Sequence, residues 1–270
     1  MEGASAAARW RGGSVTAPLF EVDGVTKQYG GLTAVNDVSL SLDQGELVGL
    51  IGANGAGKTT LFNLITGADT VTSGAVRWQG HDIDRLAPWE RARLGMARTF
   101  QNIRLWQDMS VADNVAAVLP ARSGTGICAS VLRLPAFRRA EAGIREDVHT
   151  LLGRLGLADE ASARAGDLPY GDQRKLEICR ALALGPQLLL LDEPAAGMNP
   201  TEKVDLMNTV RRLRDELGLA ILLIEHDMKF VMGICERIVV LDHGERIAHG
   251  TPDEVRADPK VIEAYLGGEA

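Results

Sequence analysis

Glu46-Leu47-Val48-Gly49-Leu50-Ile51-Gly52-Ala53-Asn54-Gly55-Ala56-Gly57-Lys58-Thr59 decides how this chain folds. Residues 46–51 read as a short, continuously apolar strand, of the kind buried on both faces of a sheet. The strand runs straight into a loop of the form G-x-x-x-x-G-K-[ST] at 52–59. Residues 58–66 then read as a helix stopped by Gly67. Glycines let backbone N–H groups turn inward around an anion and allow its close approach. The helix presents its positive end to the same anion. Lys58 is spaced to reach the β- and γ-phosphates of a nucleotide, and Thr59 to offer its hydroxyl to Mg²⁺. Strand, glycine loop and helix together imply phosphate binding. They leave kinases, GTPases, helicases and transporters open.

Working outward, residues 19–25 and 35–42 read as strands, the second alternating apolar and polar side chains. The stretch from about 85 to 184 carries helical patterns, for example over 111–118 and 140–155, and few strand signals. It is expected to be a helical lobe inserted into an α/β core. Residues 187–192 and 220–225 read as two more buried strands. Between them, Asn199-Pro200-Thr201-Glu202 supplies an N-cap, a first-turn proline and an acidic third position for a helix ending near Leu217 before Gly218. Asp242-His243-Gly244-Glu245 joins strands at 237–241 and 246–249 as a hairpin turn. Thr251-Pro252-Asp253-Glu254 opens a last helix. Alternating strands and helices imply a mainly parallel sheet covered on both faces.

Bulk properties narrow the class. The 270 residues are 46% apolar and 24% charged, an ordinary globular composition. At roughly 150 residues per domain, one large domain or one with an inserted lobe is expected, over residues 19–270. The net charge of −7, with no long basic run, argues against a nucleic-acid partner. Cys128, Cys179 and Cys235 are odd in number and widely spaced, which fits neither a disulfide framework nor a metal site. Residues 1–18, rich in Ala, Gly and Ser but interrupted by Arg9 and Arg11, read as a disordered tail. No run approaches the roughly 18 apolar residues of a membrane span.

A second acidic site follows from Leu188-Leu189-Leu190-Leu191-Asp192-Glu193. Ligands of open α/β sheets bind at the carboxyl ends of strands. Asp192 is so placed to hold Mg²⁺, and Glu193 to polarise an attacking water as general base.

Leu168-Pro169-Tyr170-Gly171-Asp172-Gln173 precedes a helical run at 174–183 that leads into the Asp192 strand. With the two phosphate motifs, this order resembles the ATP-binding cassette superfamily over about residues 19–270. The resemblance implies an α/β fold: a P-loop NTPase core with a mainly parallel sheet, an antiparallel β-subdomain and the inserted α-helical lobe. Position by position, it implies that Tyr29 stacks on adenine and that Val35 is a further nucleotide-binding position. Gly52, Asn54, Gly55, Ala56, Gly57, Lys58, Thr59 and Thr60 would hold the phosphates. Gln101, in Arg98-Thr99-Phe100-Gln101, would sense Mg²⁺ and the attacking water. His226, in Ile224-Glu225-His226-Asp227, would contact the γ-phosphate. Thr59, Gln101 and Asp192 form the implied Mg²⁺ set, and Glu193, His226 and Gln101 the catalytic set. Tyr170, Gly171 and Asp172 would complete an ATP site on a second subunit, and residues 196–199 would form the loop crossing the dimer. Pro169 and Tyr170 stand where the superfamily has serine and glycine, and Asn199 where it has aspartate. Proline lacks the serine donor, while the Gly171 N–H and the helix end remain available.

The sequences 169–174, 97–105, 192–200 and 224–228, the lobe sequence 134–139 and the ending 264–267 together resemble the ATP-binding subunits of branched-chain amino-acid importers. That implies ATP and Mg²⁺ as ligands, and a second, homologous or identical ATP-binding subunit in a head-to-tail dimer. It further implies two transmembrane permeases, an extracytoplasmic solute-binding protein as indirect partner, and a location at the cytoplasmic face of the membrane. Related cassettes serve urea or short-amide import and lipopolysaccharide export. Leu105, Trp106 and Met109 could line a groove for a permease helix or pack within the lobe. A soluble cassette that remodels nucleic acid would carry two cassettes, a coiled-coil insertion or basic arms. A phosphate-loop kinase would leave the signature and switch motifs without a role.

Overall fold

The computed structural model describes residues 17–119 and 135–266, with backbone alone for 135–141 and 266. Most of the expected tail, Cys128 and the side chains of 134–139 lie outside the described residues. Among the described residues, six strands form the main sheet in the order β10-β9-β3-β8-β7-β6. They are β3 (Leu47–Ile51), β6 (Met96–Arg98), β7 (Leu188–Asp192), β8 (Ala220–Ile224), β9 (Arg237–Asp242) and β10 (Glu245–Gly250). All pair in parallel except β9 with β10. The three central strands β3, β8 and β7 are buried along their whole length, which is why their sequences show no alternation.

Period two sorts their side chains onto two cores. Leu47, Ile51, Leu189, Leu191, Ile221 and Leu223 face one core, shared with helices α3 (Val111–Ala116), α4 (Pro135–Leu155), α5 (Tyr170–Ala183), α6 (Pro200–Leu217) and α7 (Met228–Ile234). Val48, Leu50, Leu188, Leu190, Leu222 and Ile224 face the other. There they meet α1 (Lys58–Thr66) and a four-stranded antiparallel sheet of order β2-β1-β4-β5. Its strands are β1 (Phe20–Tyr29), β2 (Leu32–Leu42), β4 (Ser73–Trp78) and β5 (His81–Asp82).

The structure corrects the expected elements in three places. β1 and β2 are longer than read, because register shifts between Val22 and Gln28 break the period-two signal; Gly24 sits there at φ 55°. The 85–184 stretch begins with core, since α2 (Pro88–Arg93) leads into β6, the edge strand that pairs with β7. We propose that the inserted lobe starts only after β6. At the other end, α8 (Pro252–Ala257), capped by Thr251 and Glu254, is followed by a further helix, α9 (Pro259–Leu266). The other turn signals act as read. Asn199 accepts from Thr201 and Glu202 N–H, and Gly218 ends α6 at φ 62°. His243 and Gly244 both take positive φ, as a two-residue type I′ turn requires.

Candidate active site

The strand ends of β3, β7 and β8 open on one edge of the sheet, and the loops leaving them carry the site. The phosphate loop is shaped by what glycine permits. A Cβ on Gly52 would lie 2.2 Å from the Leu241 carbonyl oxygen, and one on Gly57, at φ 95°, 2.5 Å from that of Ala34. The β9–β10 turn buttresses the loop: Gly244 N–H donates to Ala56 O at 3.1 Å, and Asn36 N–H to Gly244 O at 2.8 Å. Helix α1 starts at Gly57 with no side-chain cap, so its first N–H groups stay free for an anion. Lys58 is buried, with Nζ donating to Gly52 O at 2.7 Å and Ala53 O at 2.8 Å. Burial lowers its pKa from the ordinary lysine range, opposed by the charges of Glu193 and Asp192. Ala53, Asn54, Gly55 and Thr59 are exposed along the loop.

Three residues predicted from separate motifs converge beside it. Gln101 Nε2 donates to Glu193 Oε2 at 3.0 Å, and His226 Nδ1 lies 3.9 Å from the same oxygen. Glu193 follows the end of β7 with φ 45°, a left-handed backbone that a non-glycine residue adopts only at some expense; its N–H donates to Ile224 O at 2.9 Å. Strain of this kind clusters at active sites, ligand clamps and switch regions. His226 is exposed, and its N–H donates to the buried Glu225 carboxylate, which also accepts from Ala195 N–H at 2.8 Å. Burial pushes the Glu225 carboxyl above its ordinary range, and these N–H groups hold it down.

Asp192 is not free at the end of its strand. Arg98 Nη2 pairs with its Oδ2 at 2.8 Å, and Arg98 Nη1 reaches Asn63 at 2.9 Å. The Arg98 guanidinium lies 5.5 Å from the Phe62 ring and 5.4 Å from that of Phe100. Sequence alone does not mark Arg98 for this role: it ends β6, a strand of three residues that shows no period, and only the pairing of β6 with β7 brings it to Asp192. The Mg²⁺ set of Thr59, Gln101 and Asp192 offers one hydroxyl, one carboxamide oxygen and one carboxylate. Such a sparse oxygen set fits Mg²⁺, which binds through one or two carboxylates and fills its shell with phosphate oxygens and water.

Tyr29 is exposed at the end of β1, held by its hydroxyl on Asp69; that bond raises its pKa above the ordinary tyrosine range. Lys27 pairs with Asp69 at 2.6 Å and lies 4.8 Å over the Tyr29 ring. Val35 is fully buried, its methyl packed where a Cβ on Gly57 would be 3.5 Å away, so it supports the loop from beneath. Thr60 is half-buried in the first turn of α1. Among the described residues no hydrogen bond or ion pair joins Tyr170, Gly171 or Asp172 to this loop. Tyr170 is exposed at the start of α5. Gly171 is buried, a Cβ there being 3.2 Å from Glu202 Oε1, and Asp172 pairs with Lys175 at 3.3 Å.

Comparison with known proteins fits this geometry. The family described as ABC transporter matches residues 35–196, and that described as branched-chain amino acid ATP-binding cassette transporter matches 245–270. The chain is 46% identical over 253 residues to the high-affinity branched-chain amino acid transport ATP-binding protein LivG of Salmonella typhimurium, covering 94% of this chain and 99% of that protein. It is 44% identical, with the same coverage, to the corresponding protein BraF of Pseudomonas aeruginosa. Its fold is similar to the ADP conformation of MJ1267, an ATP-binding cassette of an ABC transporter: TM-score 0.80, 31% identity, 93% of this chain and 100% of that one.

Proposed function

The chain belongs to the ATP-binding cassette transporter family, and from that premise we propose that it is the ATP-hydrolysing subunit of a branched-chain amino-acid importer. The observation that carries the catalytic reading is the meeting of Gln101, Glu193 and His226 on one carboxylate oxygen beside the phosphate loop. The relatives' names, over nearly their full length, support the transported class.

In this reading the loop N–H groups and the start of α1 take the β- and γ-phosphates. Lys58 turns from the Gly52 and Ala53 carbonyls toward them. Glu193 accepts a proton from a water whose oxygen attacks the γ-phosphorus. The bond from that phosphorus to the β,γ-bridging oxygen breaks, releasing ADP and phosphate. Gln101, already hydrogen-bonded to Glu193, orients the water, and His226 contacts the γ-phosphate. Thr59, Gln101 and Asp192 would hold Mg²⁺, which supplies neutralising charge for the phosphates. Asp192, paired with Arg98, would offer that ion its remaining carboxylate oxygen.

One chain leaves the far side of the γ-phosphate open. The start of α5, with Tyr170, Gly171 and Asp172, is proposed to close that side in a head-to-tail pair with a second ATP-binding subunit. The bound γ-phosphate then bridges the halves, and its loss lets them part. Two permeases would turn that motion into alternating access, and a solute-binding protein would deliver substrate on the far side. No helix among the described residues is long and apolar enough to cross a membrane. Membrane association at the cytoplasmic face would thus come through the permeases. Trp106, exposed and stacked under the Arg180 guanidinium at 4.1 Å, is a candidate contact for them.

The test is ATP turnover by the chain reconstituted with its permeases in liposomes. Leucine-loaded binding protein is expected to raise the rate, and empty binding protein to raise it less. Equal turnover with loaded, empty and absent binding protein would refute the importer reading.

A further inference from the structure

A buried ion pair in α5 lies under both halves of the proposed machinery. Arg174 is 2% exposed, and its Nη1 donates to the carboxylate of Glu177, one turn on, at 3.0 Å. The same Nη1 donates to Phe100 O at 2.8 Å, and Nη2 to Gln101 O. Glu177 in turn accepts from Phe100 N–H at 3.2 Å. The backbone on either side of the Gln101 side chain is thus clamped by donors and acceptors from α5. From the next turn of that helix, Arg180 donates to Arg104 O. The clamp also reaches the other way. Arg174 Nη2 lies 3.2 Å from the Tyr170 hydroxyl, and its guanidinium 5.6 Å from the Tyr170 ring. That ring stands against the crossing loop, 3.2 Å from where a Cβ on Gly197 would be.

Gln101 serves the nucleotide bound by its own chain, whereas Tyr170 faces the nucleotide of the partner subunit. That assignment rests on the dimeric cassette reading above. We infer that Arg174 is a positioning residue that ties the Gln101 loop of one ATP site to the Tyr170 peptide that closes the other. Tyrosine, at a position where glycine could make no such bond, supplies the hydroxyl that completes the tie. A guanidinium with several rigidly disposed donors can hold two carbonyls, a carboxylate and a phenol at once; an ammonium cannot. A shift of the Gln101 carbonyl when its side chain engages nucleotide would then be passed to Tyr170 through one rigid group.

Tyr170→Phe removes one hydroxyl and keeps the ring. In the assembled complex it is expected to lower maximal ATP turnover about tenfold, the size of a lost hydrogen bond to a charged group. ATP affinity of the isolated full-length chain, read with a fluorescent ATP analogue, should stay at the wild-type value. Arg174→Lys, which keeps the charge beside Glu177, should show the same split. Combining Tyr170→Phe with Gln101→Ala should reduce turnover no further than the worse single variant, because both act through one linkage. Losses that multiply in the double variant would overturn the inference. So would wild-type turnover in Tyr170→Phe, or an equal fall in affinity of the isolated chain. A complex that hydrolyses ATP but ignores loaded binding protein would count against the importer reading alone, since the relay is read from turnover itself.

Discussion

At the phosphate loop the backbone carries the chemistry. Gly52 and Gly57 make room that a single Cβ would fill, α1 begins without a cap, and Lys58 rests on the loop's own carbonyls. The start of α5 also lacks a side-chain cap, but Pro169 has no N–H, Gly171 is buried, and the Tyr170 side chain stands exposed, held by Arg174. The first region is complete within one chain. The second is a surface steadied from behind, whose proposed ligand is the nucleotide held by a second subunit. Changes in the first should therefore act on binding, and changes in the second on the rate of the assembled pair.

The largest effect should come from the loop. Lys58→Ala is expected to weaken ATP binding by about 3 kcal/mol, or ~100-fold in Kd by titration, as removal of a buried charge partner does. Undiminished binding would place the anion elsewhere. Next is Arg98→Ala, which strands Asp192 beneath the site without its ion pair. It should lower unfolding free energy by about 3 kcal/mol in urea titrations. Unchanged stability would show that the pair only steers Asp192. The smallest effect is expected on the α5 side. Lys175 pairs with Asp172 and Asp205 near the surface, so Lys175→Ala should cost less than about 1 kcal/mol in the same titration. A larger loss would mean that the two regions are less different in construction than this comparison holds.

What could be read from sequence follows the same division. Glycine spacing, apolar strands and helix caps are local signals, so the loop, β3, β7, β8 and the Asn199 cap were legible. So was the convergence of Gln101, Glu193 and His226, through the order of motifs. Arg98 and Arg174 were not. Their partners, Asp192 and the Phe100–Gln101 carbonyls, are 94, 74 and 73 residues away in sequence, and an arginine in a polar run carries no mark of which carboxylate or carbonyl it will meet. Strand β6 escaped because three residues are too few to show a period. Resemblance named Val35 as a nucleotide position, but its side chain points into the core beneath Gly57.

Glu193 is proposed to take the proton from the attacking water without itself holding the nucleotide. Glu193→Gln in the reconstituted complex separates the two roles, with phosphate release and the chemical state of retained nucleotide measured together. The expected result is turnover at least ~100-fold below wild type, as for loss of a general base, with nucleotide retained as intact ATP. Turnover at the wild-type rate, or loss of ATP binding along with turnover, would contradict it.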